Sequence, residues 1–415
     1  MKELRASAKG GLGRKIEVEK KMRKNFSLLA LVLLLAFATA CEPINSDEAE
    51  GKNTENSLAL QDQDPVEEMT GLEVLAEEDF QYSKSLKIKR LAEDYIYVDM
   101  VDGAERVLLV PKDKDFLDLE EEDLRQIHYP VENIGVLSTT HVALFRAIGQ
   151  LDKIAFVNYE PETWYIDGVV DRMESGEIDF VGNYYDLDYE RIQEDNPDLV
   201  LRSSFVGEEE EKLNLKLDDL GIPNMGISQY VEEDPRGRIE WVKLIGILVG
   251  AQEEAQAYLE DQYARIDKVV EESKALEKSP TIASFRVGED GTSVKRSGDY
   301  SIKMFELAGG TYGLAGLVEE GTGAYKITPE EFYAQAQDMD ILIHENMGTF
   351  IETKDQLLQY GDYLGDLKAL KEGRVYATKE NYWQEMDKTA EMIEDLHAII
   401  KGEATGDLYF YQEVK

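Results

Sequence analysis

The feature that most constrains the fold is a long helical segment between two stretches in which strand and helix patterns alternate. In residues 235–276, apolar side chains recur at the i, i+3, i+4 and i+7 spacing of one helix face, and Gly250 is expected to interrupt the helix. Strands that alternate with helices form a mainly parallel sheet. Because 415 residues exceed what one core usually serves, the sequence predicts two α/β lobes with central, mainly parallel sheets, joined by a long rigid helix.

Changes in this pattern set the expected boundaries: an N-terminal lobe (76–234), a connecting helix (235–278), a C-terminal lobe (279–402) and a tail (403–415). The N-terminal lobe opens with "SLKIKRLAEDYIYVDMVDGAERVLLVP", which alternates in polarity and is rich in β-formers. An Asp-Gly pair at 102–103 marks a hairpin turn. This stretch predicts an extra antiparallel β segment of two or three strands ahead of the α/β lobe.

The N-terminus has the pattern of a secretory signal. Basic residues precede the short apolar run "FSLLALVLLLAFATA", and Cys41, the sole cysteine of the chain, follows it at once. The run is too short to span a bilayer comfortably. "ATAC" resembles a bacterial lipobox, with Ala38 where Leu is commonest. The resemblance implies removal of residues 1–40 and diacylglycerol on the Cys41 sulfur; ordinary secretion with a free thiol is the alternative.

Residues 41–75 are polar, acidic and poor in aromatic side chains, which predicts a disordered tether between the lipid and the first lobe. Met22 begins a compact signal by itself, so translation from that residue, without residues 1–21, is an alternative start. Together these features predict an extracytoplasmic protein that a lipid anchors to a bacterial membrane, in the periplasm or at the cell surface.

The charge balance restricts the partners. The chain has 86 acidic and 45 basic residues and a net charge of −41, whereas proteins that bind nucleic acid need a basic surface. An anionic ligand would therefore need locally placed cations. The sequence contains none of the GxSxG, GxxxxGK[ST] or HExxH motifs and no cysteine pair. We predict that the chain is not an enzyme and holds no cofactor or metal of its own, although a hydrolase using two of the many carboxylates stays an alternative.

One strand-to-helix junction carries an unusual group of polar residues. In "GVLSTTHVALFRAIG", Ser138, Thr139, Thr140 and His141 stand where an apolar strand gives way to a helix. Ligands of open α/β sheets bind at the carboxyl ends of strands, and helix N-termini favour acceptor-rich groups. The alternative is that Ser138 or Thr139 simply caps the helix.

Several blocks together resemble one family. They are "IGVLSTTHVALFRAIGQLDKIAFV", "DYERIQEDNPDLVL", "LGIPNMGIS", "EWVKLIGILVGAQEEAQAYLEDQYARI", "FELAGGTYGL", "ITPEEFYAQAQDMDILI" and "LKEGRVYA". In order and spacing, over roughly residues 80–402, the chain is similar to the substrate-binding lipoproteins of ABC importers for iron–siderophore, haem and cobalamin. The resemblance implies a class III periplasmic-binding-protein-like fold, with a ligand held between two lobes and delivered to a membrane permease whose ATPase supplies the energy.

The resemblance also implies two docking residues, because a glutamate on each lobe of such proteins commonly pairs with arginines of the permease. "DYERI" places Glu190 at the first-lobe position and "TPEEF" places Glu330 at the second. The alternatives are a solvated carboxylate for Glu190 and a plain helix N-terminal acid for Glu330.

Candidate ligand residues are expected in the loops that follow the strands of both lobes. The predicted set is Ser138, Thr139, Thr140, His141, Asn158, Tyr159, Trp164, Asn183, Tyr184 and Tyr230 in the first lobe, and Arg286, Tyr300, Tyr325, His344, Glu345, Tyr382 and Trp383 in the second. Aromatic rings with polar tips suit large chelates. Arg286 is the best candidate for a negative ligand group, with Lys295 and Arg296 nearby.

Each candidate has a structural alternative: core or rim packing for the aromatic residues, a satisfied buried position for the two histidines, and a surface ion pair for Arg286. Within binding proteins, the alternatives to an iron chelate are haem, cobalamin, or a bare divalent metal ion held by His141, His344 and a carboxylate. An anchored structural or adhesive lipoprotein is the alternative from another class. The leading hypothesis is a monomeric solute receptor for an iron chelate that closes only slightly, because a continuous helix resists bending.

Overall fold

A computed structural model of the protein describes residues 64–119, 124–204, 207–288, 291–317, 320–404 and 406–415. The signal, Cys41 and residues 41–63 of the expected tether lie outside these ranges. Within them, the alternating patterns fold into two α/β lobes, which confirms the predicted fold class. None of the helices in these ranges is both long enough and apolar enough to cross a membrane.

An additional sheet precedes the first lobe, as the alternating polarity of this stretch predicts. Its elements are the helix α1 (Pro65–Thr70) and the strands β1 (Val74–Glu77), β2 (Leu86–Leu91), β3 (Ile96–Met100), β4 (Glu105–Pro111) and β5 (Arg125–Tyr129). The strands lie in chain order; β1 to β4 are antiparallel, and β5 runs parallel to β4. The Asp-Gly pair at 102–103 turns β3 into β4, with φ of 51° and 90°.

This sheet has more strands than predicted, and the described residues 64–75 of the expected tether contribute to it and to its helix. The side chain of Asp64 accepts a hydrogen bond from the Val66 amide at 2.9 Å and caps α1. Val66 is buried in a small core with Tyr95, Tyr97 and Leu108, on one side of the sheet. Residues 64–75 therefore belong to the folded part of the chain and not to a disordered tether.

The first lobe contains a parallel sheet in the strand order β12-β11-β6-β7-β8. Its elements are β6 (Ile134–Val136), α2 (Thr139–Ala147), β7 (Ile154–Val157), α3 (Val169–Ser175), β8 (Asp179–Phe180), β9 (Gly182–Asn183), β10 (Asp186–Leu187), α4 (Tyr189–Asp195), β11 (Leu199–Ser203), α5 (Glu208–Asp219) and β12 (Asn224–Ile227). The strands β6, β11 and β12 are buried along their whole length, as strands covered on both faces must be. The short strands β9 and β10 form a separate antiparallel hairpin.

Three helices connect the lobes: α6 (Pro235–Glu240), α7 (Val242–Val249) and α8 (Gln252–Ser273). The break between α7 and α8 falls at Gly250, which has a φ of 74° and closes α7, as the glycine predicts. The uninterrupted part of the connection is α8, whose 22 residues extend for about 33 Å.

The second lobe has a mixed sheet in the order β16-β14-β13-β17-β18-β19, with β15 also pairing with β13. Its elements are β13 (Thr281–Gly288), β14 (Gly291–Lys295), α9 (Tyr300–Leu307), β15 (Thr311–Tyr312), β16 (Ala324–Ile327), α10 (Pro329–Ala336), β17 (Ile341–His344), α11 (Lys354–Leu358), α12 (Lys368–Lys371), β18 (Val375–Thr378), α13 (Thr389–Lys401) and β19 (Tyr411–Glu413). The central strands β13, β17 and β18 are parallel.

The end of the chain differs from the expected tail. β19 pairs with β18 in antiparallel register, and Phe410 and Val414 are fully buried beside it. The last residues thus complete the sheet of the second lobe.

Candidate functional site

A cavity of about 520 Å³ lies between the two lobes, at the carboxyl ends of strands from both sheets. Its walls combine aromatic rings and methionines with hydroxyl groups, one amide and one guanidinium. The lining residues are Leu137, Ser138, Thr139, Thr140, Tyr159, Tyr184, Tyr185, Ser203, Gln229 and Tyr230 from the first lobe, Pro235 and Arg238 from α6, and Tyr300, Met347, Tyr382, Trp383, Met386, Thr389 and Met392 from the second lobe. Nine of the seventeen residues predicted from the sequence are among them.

The three hydroxyl side chains that follow β6, those of Ser138, Thr139 and Thr140, line this cavity. Ser138 occupies the N-cap position of α2, but its side chain makes no hydrogen bond to the helix backbone. Instead its Oγ lies 3.0 Å from Thr140 Oγ1, which accepts a hydrogen bond from Gln229 Nε2 at 2.8 Å. Capping therefore does not account for Ser138, and Gln229, from the loop after β12, fixes the position of the hydroxyls.

His141 lies behind this wall and does not line the cavity. It is 1% exposed, and its Nε2 lies 3.1 Å from Gln229 Oε1. Because the amide nitrogen of Gln229 already donates to Thr140, Oε1 is the acceptor and the imidazole Nε2 carries the proton. Burial lowers the pKa of His141 to about 4, so the ring is neutral at physiological pH.

Tyrosines form the rest of the first-lobe wall. The Tyr230 hydroxyl donates to the carbonyl oxygen of Ser204 at 2.7 Å, and the Tyr184 hydroxyl donates to Glu210. Tyr184 and Tyr185 stand at the tip of the hairpin formed by β9 and β10. Hydrogen bonds at their phenolic ends hold Tyr184 and Tyr230 while their rings face the cavity.

Three other first-lobe candidates lie outside the cavity wall. Trp164 is 7% exposed, packs edge-on against Tyr159 at 5.9 Å between ring centroids, and donates from Nε1 to the Tyr159 carbonyl oxygen at 3.1 Å. It thus supports Tyr159 from behind. Asn158 is buried, whereas Asn183 is exposed on β9.

Tyr300, Tyr382 and Trp383 form the second-lobe wall, with Tyr382 and Trp383 packed edge-on at 5.0 Å. Trp383 Nε1 donates to the carbonyl oxygen of Asn346 at 2.9 Å, which orients the indole. Burial raises the pKa of Tyr382 well above its ordinary value, so the phenol stays protonated.

Four second-lobe candidates are not brought to this cavity. His344 is buried behind the sheet edge, where Nε2 accepts from the Val287 amide at 3.2 Å and Nδ1 lies 2.9 Å from Asn346 Oδ1; burial lowers its pKa to about 4. Glu345 accepts from Ser284 Oγ at 2.8 Å and pairs with a lysine. Tyr325 is exposed, and Arg286 lines a different cavity of about 610 Å³ on the second lobe. A ligand role for these four residues stays a prediction.

Sequence reasoning missed ten lining residues, some in helices and others in strand β11 or in loops. They are Leu137, Tyr185, Ser203, Gln229, Pro235, Arg238, Met347, Met386, Thr389 and Met392, of which Pro235 and Arg238 lie in α6 and Thr389 and Met392 in α13. The three-residue spacing of Met386, Thr389 and Met392 places them on one helical face, a signal that equally fits a packed core. Among the described residues that line the cavity, Arg238 is the only charged one.

Two lobes that turn their strand ends toward one shared cavity define a solute-binding protein in architecture. The model of a family described as periplasmic binding protein matches residues 134–382. The chain belongs to this family, which confirms the resemblance inferred from the sequence blocks.

Other proteins are similar to this chain in sequence or in structure. An uncharacterized lipoprotein of Methanocaldococcus jannaschii is 28% identical over 402 residues, which cover 91% of this chain and 93% of that protein. The solved structure of a periplasmic heme-binding protein from Pseudomonas aeruginosa is similar with a TM-score of 0.55 and 15% identity, covering 69% of this chain and 98% of the other. A periplasmic heme-binding protein from Roseiflexus sp. RS-1 in apo form gives 0.52 and 18%, covering 66% and 99%. These structural likenesses show the shared fold.

Proposed function

We propose that this chain is the extracytoplasmic solute-binding lipoprotein of an ABC importer and that it captures an iron chelate of the siderophore kind between its lobes. The observation that carries the proposal is the cavity of about 520 Å³ with walls from both lobes. Its size lies within the range of about 300–1,000 Å³ that is usual for small-molecule sites. Aromatic and methionine side chains suit the organic shell of a chelate.

The polar groups of the cavity favour a chelate over a bare metal ion. Hydroxyl groups and the Arg238 guanidinium can donate hydrogen bonds to ligand oxygens. The imidazoles that a bare ion would need, His141 and His344, are buried behind the wall with hydrogen bonds of their own. A metal would therefore enter with its ligand shell already complete.

A ligand panel read by tryptophan fluorescence tests the proposal. The panel contains ferric catecholate and hydroxamate chelates, haemin, a corrinoid, and free zinc and manganese ions, and mass spectrometry of the purified protein looks for a retained ligand. We expect a ferric chelate to quench the emission and to raise the melting temperature, because a ligand that binds the native state stabilises it.

Trp383 and Trp164 provide a matched pair of reporters. Trp383→Phe should lose most of the quenching, since Trp383 lines the cavity, whereas Trp164→Phe, which alters an indole behind the wall, should keep it. A panel in which no chelate shifts either signal would contradict the proposal. Tight binding of a free divalent ion alone would favour the bare-metal alternative.

We propose that Glu190 and Glu330 dock the loaded protein on its permease. Both are exposed in the first turn of a helix, α4 on the first lobe and α10 on the second. Charge reversal to lysine at both positions should reduce uptake in cells and leave the chelate affinity of the purified protein unchanged. Lysine at Glu194 and Asp338, exposed near the same two helices, serves as the control. Equal uptake by the two double variants would argue against docking at these glutamates.

We propose further that lipid on Cys41 holds the receptor at the membrane. Cys41→Ser should release the protein into the soluble extracytoplasmic fraction, and mass spectrometry of the N-terminal peptide should find diacylglycerol only on the unaltered chain. Absence of diacylglycerol from the N-terminal peptide of the unaltered chain would contradict lipid anchoring at this residue.

A further inference from the structure

Arg238 is a buried cation without a carboxylate partner. Arg238 is 8% exposed and lines the cavity. Among the residues that the structure describes, none forms an ion pair with it. Its buried Nε has no hydrogen-bond partner. An unpaired buried charge is costly in a folded protein, and an anion supplied by a ligand would offset that cost.

A second arginine on the same helix shows what is missing. Arg236, two residues earlier on α6, stacks on the ring of Tyr82 at 3.8 Å and makes two hydrogen bonds to the Asp234 carboxylate, at 2.9 and 2.6 Å. Arg238 likewise stacks on a tyrosine, Tyr300, at 3.7 Å. The two guanidiniums thus have the same aromatic support, but only Arg236 has an anion.

The other charged groups close to the cavity are held in ion pairs, in which carboxylates outnumber cations. Lys295, 5.6 Å above the Trp383 ring, lies 3.6 Å from Asp299 and 3.5 Å from Glu345. Glu210, which holds Tyr184, is paired with a buried arginine at 2.9 Å. In a chain with 86 acidic and 45 basic residues, a cation that has no internal carboxylate is left with its full charge for a ligand.

We infer that Arg238 binds an anionic oxygen of the ligand, either carboxylate or phenolate, and so makes the receptor selective for negatively charged chelates; this inference rests on the proposed function. The guanidinium fork matches the oxygen pair of a carboxylate or a catecholate. Stacking on Tyr300, a residue of the second lobe, fixes the plane of the fork. The charge selection is therefore built from both lobes.

Two pairs of probes that differ in charge but not in metal test the inference. The first pair is haemin and its neutral dimethyl ester, and the second is trianionic ferric tris-catecholate and neutral ferric tris-acetohydroxamate. Affinities are measured by fluorescence on the wild-type protein, Arg238→Gln and Arg236→Gln. The two variants lose the same charge from the same helix, and far-ultraviolet circular dichroism checks that both are folded.

We expect the wild-type protein to bind the anionic member of at least one pair more tightly than its neutral partner. Arg238→Gln should weaken the anionic chelate about tenfold or more, the usual effect of losing a charge-assisted hydrogen bond, and should weaken the neutral chelate much less. Arg236→Gln should leave both affinities unchanged. Equal loss for charged and neutral probes, or no loss in Arg238→Gln, would overturn the inference while the chelate-binding function stands.

Benzoate, a simple aromatic carboxylate, separates the two proposals. If no chelate binds, but millimolar benzoate raises the melting temperature of the wild-type protein and not of Arg238→Gln, the anion site stands and the chelate function is wrong. If neither the chelates nor benzoate bind, both proposals are wrong.

Discussion

Burial gives His141 and His344 a structural role. His141 donates from Nε2 to Gln229, and its buried Nδ1 has no partner among the described residues. Protonation of Nδ1 would therefore give the ring a positive charge and place an N–H group where no acceptor is available. His344, on the second lobe, is also buried but has hydrogen-bond partners at both ring nitrogens, and burial lowers the pKa of both residues to about 4.

The lowered pKa of His141 predicts a pH-dependent loss of stability. In the unfolded chain the imidazole takes up a proton near its ordinary pKa of 6.5, whereas in the folded chain it does so only near 4. The stability that a neutral His141 supplies is thus complete above pH 6.5 and is lost as the pH falls toward 4, by at most about 1.4 kcal/mol per pH unit. Urea unfolding of His141→Gln between pH 7 and 4 should give a shallower slope of free energy against pH.

His344→Gln should reduce the slope by its own share, and the double variant should combine the two effects because the residues lie on different lobes. A slope in His141→Gln equal to that of the wild-type protein would mean that the imidazole takes up its proton at the same pH in the native and the unfolded chain.

Some site residues could be predicted from the sequence, because the strand-to-helix junction by itself determines where their side chains lie. Ser138 and Thr140 line the cavity because the junction itself aims them there, whereas His141, about 100° further around α2, turns into the core. The sequence does not indicate Arg238 as a site residue, because it lies within a continuous helical pattern. Its place in the site depends on Tyr300, which is distant in sequence and comes from the other lobe.

A buried carboxylate, that of Glu240, connects the N-terminal sheet to the helices between the lobes. Glu240 on α6 accepts hydrogen bonds from the backbone amides of Gln81 and Tyr82, at 2.8 and 2.9 Å, and from the Tyr263 hydroxyl at 2.7 Å. Gly237 permits this close approach, because a Cβ there would meet the Tyr82 carbonyl oxygen at 3.0 Å. The loop before β2 therefore holds the helix that carries Arg238.

Glu240→Gln should destabilise the protein strongly, since an amide nitrogen would face backbone donors and the charge-assisted hydrogen bonds would be lost. We expect the free energy of unfolding, measured with urea, to fall by about 3 kcal/mol. Glu233→Gln, an exposed carboxylate in the same segment, should change it by less than about 0.5 kcal/mol. Equal midpoints for the two variants would show that the loop does not depend on Glu240.

Local pattern predicted most elements, and non-local pairing explains the differences. The strands β6, β7 and β11 are apolar runs bounded by helices, so they could be read directly from the sequence. The sequence around α1 and β1 is polar and therefore does not indicate that these segments are folded. They are folded because they pack on Leu108 and its neighbours. β19 is too short to be recognised until its pairing with β18 is known.

Polar contacts join the two lobes on one side of the cavity. Arg146, on α2 of the first lobe, makes two hydrogen bonds to Asp387, at 2.9 and 2.6 Å, and one to Glu385 at 2.6 Å. Gln384 accepts from the Tyr165 amide at 3.0 Å and donates to the Thr163 carbonyl oxygen at 2.7 Å. These bonds and the unbroken α8 restrain the lobes together.

This restraint predicts that the receptor closes little on its ligand. Small-angle scattering should give the same radius of gyration for the free protein and for the protein loaded with the chelate that the fluorescence panel selects. In Arg146→Met/Asp387→Asn, which removes the ionic contacts of Arg146 and leaves Glu385 paired with Lys388, the free protein should become more open and should contract on loading. Closure by tens of degrees in the wild-type protein would show that these contacts break during binding and that α8 does not act as a rigid connection.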